Sequence, residues 1–97
     1  MKKPKILTVD DDPDILDVLS LTLGEQYEII QANNGEEGLK VVQSTIPDLI
    51  ICDLMMPVMN GREFCKALKN SIRRRNINKR HHRILIIFRY SSKTMLK

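Results

Sequence analysis

Leu49-Ile50-Ile51-Cys52 is an apolar run without a polar break, and it stops at Asp53. A strand with one wet face alternates apolar and polar residues, so a strand apolar at every position must be covered on both faces. Helices that cross between parallel strands supply such cover. The rest of the first half of the chain fits that demand. Lys5-Ile6-Leu7-Thr8-Val9 reads as a second mostly apolar strand ending at Asp10-Asp11-Asp12, and Asp12 before Pro13 is the pattern of a helix N-cap. Ile15, Leu16, Val18, Leu19 and Leu23 follow at helical spacing, which predicts one broad buried face ending near Gly24. Tyr27 to Gln31 is a further strand, Asn33-Asn34-Gly35 a turn, and Leu39, Val41 and Val42 mark a short helix closed by Ile46-Pro47. Gly38 inside that helix costs about 1 kcal/mol relative to alanine. Pro57 and Gly61 shape a loop before a third helix with Phe64, Cys65 and Leu68. Alternating strands and helices predict an open parallel α/β sheet.

The chain has 97 residues, which is one domain with one modest core. Its apolar runs are a few residues long, which excludes a transmembrane span and a secretory signal peptide. Cys52 and Cys65 lie in apolar stretches and read as reduced thiols, favouring a cytoplasmic location. Charge divides the chain sharply. All 12 acidic residues fall within residues 1–63, beside five basic ones, whereas residues 64–97 carry 11 basic residues and no acid. The net charge of +4 is therefore a property of the tail. Residues 69–83 show neither strand nor helix periodicity and are expected to be solvated and irregular. Ile84 to Phe88 could form a fourth strand.

In a parallel sheet, functional groups gather where strands end and loops begin, above all where strand order reverses. Asp10 and Asp11 end one strand and Asp53 ends another, so the three carboxylates can converge from positions 42 or 43 residues apart. Their mutual repulsion is relieved by a hard divalent cation, and an open, all-oxygen site suits magnesium. An aspartate beside such an ion can also attack phosphorus and become an acyl phosphate. Asp53 is the preferred nucleophile, because it ends the most apolar and hence most central strand.

The run from Ile6 to Asp12, followed by Asp53-Leu54-Met55-Met56-Pro57-Val58-Met59-Asn60-Gly61, resembles the receiver domain of two-component response regulators. The resemblance implies a flavodoxin-like, three-layer α/β/α fold with strand order 2-1-3-4. It covers about residues 5–68 of a single receiver-like domain spanning 1–97, and residues 69–97 form an atypical basic tail. No fifth strand or final helix is visible in the pattern. By resemblance, Asp53 is the phosphoacceptor, Asp10 and Asp11 are the metal-site acidic pair, and the Met55 carbonyl is a further Mg2+ ligand. A sensor histidine kinase or phosphotransfer protein would supply the phosphoryl group, and the output would lie on another protein or domain. Ser91 or Ser92 would stand for the family's switch hydroxyl, at a longer spacing from Asp53 than the family uses. Lys93 follows too soon to be its fifth-strand lysine.

The chain is not expected to be an enzyme. A missing covering helix would expose part of the sheet and favour self-association. Two other functions compete. One is a phosphorylation-silent protein-interaction domain. The weaker is a basic nucleic-acid-associated fragment using Arg73 to Arg75 and Lys79 to Arg83, which lack a recognition helix or aromatic ladder. Met55, Met56 and Met59 are expected to shape the loop rather than bind a soft metal, and His81 and His82 lack zinc-site spacing.

Overall fold

The computed structural model describes residues 2–75 and 84–89. Four parallel strands, β1 (Lys5–Val9), β2 (Glu28–Ala32), β3 (Leu49–Asp53) and β4 (Leu85–Arg89), form one sheet in the order β2-β1-β3-β4. Three helices, α1 (Pro13–Leu23), α2 (Gly35–Ser44) and α3 (Gly61–Arg75), connect and cover them. This is the expected flavodoxin-like arrangement, with β2 and β4 at the two edges of the described sheet. Parallel crossovers are right-handed, so a step from β1 out to β2 and a step back across to β3 place α1 and α2 on opposite faces. The reversal falls between β1 and β3.

Local chemistry sets the helix starts. Asp12 adopts an extended backbone and its carboxylate accepts the Asp14 N–H, with Pro13 in the first turn. Asn34 caps α2 by accepting the Glu37 N–H. Asn60 and Glu63 form a reciprocal capping box at α3, each side chain accepting the other's backbone N–H at 2.9 Å. The box fixes where the loop after Asp53 ends.

Leu7, Val9, Ala32, Val42, Ile50, Cys52, Met56, Phe64 and Leu68 make up the buried core. Phe64 lies between α2 and β1, and a methyl at Gly38 would come within 2.9 Å of its ring and 3.2 Å of the Val9 side chain. Gly38 is therefore set by the closeness of α2 to the core, beyond a helix-propensity cost alone. Cys52 packs in the same core, and burial together with the neighbouring Asp53 and Asp10 pushes its thiol up to about 12. Both cysteines are free, as expected.

Two expectations need revision. The aperiodic reading of residues 69–83 fails for its first half, because α3 continues to Arg75 and Ile72 packs against the core one turn beyond Leu68. Arg73 and Arg74, which read as part of a tail, lie within this helix. Residues 76–83, with His81 and His82, lie outside the described residues. The broad buried face of α1 is also narrower than its periodicity implies. Leu16 is buried, whereas Val18 is 55% and Leu21 84% exposed.

Candidate functional site

β1 and β3 pair in register from Ile6 with Leu49 to Val9 with Cys52, so their carboxyl ends lie side by side. Asp10, Asp11 and Asp53 meet there, each offering a carboxylate oxygen within 4.8 Å of the others. Asp10 and Asp53 are buried and Asp11 is partly exposed, which leaves the group open to solvent on one side.

The backbone orients these side chains. Asp10 Oδ1 accepts the Asp12 N–H at 2.9 Å, and Asp53 Oδ1 accepts the Met55 N–H at 3.1 Å. Among the described residues, Asp53 Oδ2 is buried and has no hydrogen-bond partner. A carboxylate oxygen stripped of water without replacement is costly, and burial, assisted by the charges of Asp10 and Asp11, raises the Asp53 carboxyl above its ordinary value of 3.8. The Met55 N–H and the Arg89 guanidinium act the other way. A hard cation would relieve the orphaned oxygen and the crowded charge together, so the all-oxygen donor set fits a divalent ion.

The loop after Asp53 is drawn tightly onto the strand end. Gly61 N–H donates to Leu54 O at 3.0 Å, and a methyl on Gly61 would lie 2.7 Å from Asp53 O. Backbone packs there where a side chain would otherwise stand, which accounts for a glycine eight residues after the aspartate. Val58 at the loop's tip has a φ of 71°, a left-handed conformation that a β-branched residue adopts at a cost of about 1 kcal/mol or more. Met55 is exposed while Met56 is buried in the core, in line with loop-shaping methionines. The structure engages Met55 at the site through its N–H.

Arg89 was missed in the sequence. It ends β4 in register with Asp53, and its Nη2 lies 2.5 Å from Asp10 Oδ2 and 3.9 Å from Asp53 Oδ2. The available signal was a basic residue closing the fourth apolar run just as an acid closes the third. Ser91 and Ser92, the candidate hydroxyls, lie outside the described residues, as does Lys93.

Comparison with known proteins decides the family. The response regulator receiver domain model matches residues 6–95. The chain belongs to that family. This receiver is 44% identical over 66 residues to the alkaline phosphatase synthesis transcriptional regulatory protein PhoP of Bacillus subtilis, covering 67% of this chain and 28% of that protein. It is 37% identical over 76 residues to histidine kinase P4 of Formosa agariphila, covering 78% of this chain and 6% of that protein. Vibrio cholerae chemotaxis protein CheY4 superposes with a TM-score of 0.72 at 36% identity, over 87% of this chain and 67% of that one. The chain thus spans less than a third of the curated relatives it matches.

Family membership also corrects the expectation that the chain is not an enzyme. Receivers of this family catalyse phosphorylation and dephosphorylation of themselves, and the acidic cluster that serves such chemistry is assembled here.

Proposed function

We propose that this receiver is the phosphoacceptor of a two-component relay, taking a phosphoryl group from a histidine kinase or phosphotransfer protein onto Asp53. The observation that carries this reading is the buried Asp53 Oδ2, without a hydrogen bond among the described residues, beside Asp10 and Asp11. Asp10, Asp11, Asp53 and the Met55 carbonyl would hold Mg2+. The ion, when bound, neutralises phosphoryl charge and lowers the cost of bringing one anion to another.

The chain's own groups do the rest. The Met55 N–H fixes the Asp53 side chain through Oδ1 and leaves Oδ2 without a hydrogen bond among the described residues. Attack by an Asp53 carboxylate oxygen forms the O–P bond as the P–N bond of phosphohistidine breaks, and the imidazole nitrogen keeps the electron pair. Ser91 or Ser92 is carried as the hydroxyl that would meet the phosphoryl group. Residues 1–97 are read as a single receiver-like domain acting in the cytoplasm. Among the described residues no helix is long and apolar enough to cross a membrane.

Intact-protein mass spectrometry after exposure to a small phosphodonor with magnesium tests the reading. The wild type should gain one phosphoryl group, and Asp53→Asn should gain none. Modification of the Asp53→Asn chain to the same extent would remove Asp53 from the role. A folded wild type that stays unmodified would favour the phosphorylation-silent interaction domain.

A further inference from the structure

We propose that Arg89 is the resident counter-cation of the acidic site and sets its affinity for a divalent ion, which must take Asp10 from it. The inference rests on the cation site of the proposed function and adds a residue that opposes filling it.

Three observations on Asp10 carry it. Its side chain is 3% exposed, so its charge needs a partner in the folded protein. Its Oδ1 accepts the Asp12 N–H, which leaves Oδ2 as the freer oxygen. That oxygen is the one in contact with Arg89 Nη2. A divalent ion drawing on Oδ2 therefore meets a guanidinium at the same atom, and the two positive charges repel across a poorly hydrated space.

Geometry gives the guanidinium a way out. Its side chain is 29% exposed, so it can turn toward water, while its backbone stays fixed by the pairing of Arg89 with Asp53 and by the Leu54 N–H bond to Arg89 O at 3.0 Å. Displacement from Asp10 Oδ2 then leaves the strand in place. Asp53 Oδ2 lies 3.9 Å from Nη2, beyond hydrogen-bonding range, so the guanidinium compensates Asp10 well and Asp53 poorly. The site keeps one carboxylate ready for an incoming cation and holds another occupied.

Magnesium chloride titrated into the full chain, followed by amide and arginine Nε–Hε NMR signals, tests this. Arg89→Gln should bind magnesium at least about tenfold more tightly than the wild type. Arg89→Lys keeps the charge and should stay within about threefold of the wild type. In the wild type, the Arg89 Nε–Hε signal should move as the site saturates. Equal or weaker binding by a folded Arg89→Gln chain overturns the competition and leaves the phosphoacceptor reading standing. If folded wild type and variants all fail to bind millimolar magnesium, the cation site falls and the competition with it. Should Arg89→Gln not fold, the wild-type signal decides: a saturable shift supports displacement, and an unmoved signal overturns it.

Discussion

β3 and β4 are neighbours of the same length and nearly the same sequence, Leu-Ile-Ile-Cys-Asp and Leu-Ile-Ile-Phe-Arg, paired residue for residue. Their environments differ in how far they are covered. Ile50 of β3 has no exposed surface, whereas Leu85 and Ile87 of β4 are 66% and 53% exposed. Equal strand propensity thus produced equal strands, and the layers above and below decided which became core. The strands differ in sequence mainly at their last residue, and there the difference is one of sign. Asp53 brings a negative charge to the end of the sheet, and Arg89 brings a positive one that contacts Asp10.

The sharpest way to break this comparison is to truncate a buried residue of β3 and an exposed residue of β4. Ile50→Ala should lower unfolding free energy by about 2–5 kcal/mol, since it leaves a cavity between covering layers. Leu85→Ala should cost roughly 0.5 kcal/mol or less, because its side chain is already largely in water. Urea unfolding of the two variants measures both, and equal losses would mean that β4 is covered in solution. A smaller effect is expected at Gly38, where an added methyl presses on Phe64 and Val9. Gly38→Ala should destabilise by about 1–3 kcal/mol despite alanine's better helix propensity, and a stabilised variant would show that α2 can move away.

The weakest effect concerns pH. The folded state raises the Asp53 carboxyl through burial, so it holds that proton more tightly than the unfolded chain does. Stability from this group is greatest below the ordinary value of 3.8 and falls as pH rises through the window up to the raised folded value. Thermal unfolding of wild type and Asp53→Asn across mildly acidic pH, without added metal, should show a downward contribution with rising pH that the variant lacks. Magnesium should offset the loss at neutral pH, and an identical pH profile in the two proteins would show that Asp53 ionises without cost.

Much of this was legible in the chain because parallel sheets place their chemistry at strand ends. An apolar run closed by an acid signals both a buried strand and its functional terminus, and β1 and β3 were readable for that reason. The end of α3 was not, because Lys69, Asn70 and Arg73 dilute a stripe that Phe64, Leu68 and Ile72 in fact continue at four-residue spacing. The exposure of Val18 was hidden for a different reason, since periodicity reports a helix's apolar side and not how much of it the sheet can cover. Arg89 was hidden by averaging. Counted within a basic tail it looked like bulk charge, whereas its meaning depends on a contact with Asp10, 79 residues away.

The closing residues of β3 and β4 also bear on which alignment of the two strands survives. Leu85, Ile86, Ile87 and Phe88 are interchangeable as apolar partners, so sliding β4 along β3 would exchange one greasy pairing for another with little preference among them. A slip of one residue would bring Phe88 level with Asp53 and turn the Arg89 side chain to the other side of the sheet, abandoning Asp10 with its buried charge unmatched. That penalty falls on every neighbouring alignment and spares the observed one. The pairing of Arg89 with Asp10 at the strand's tip therefore acts as a detent for the whole edge strand, specifying a position that four apolar residues leave open.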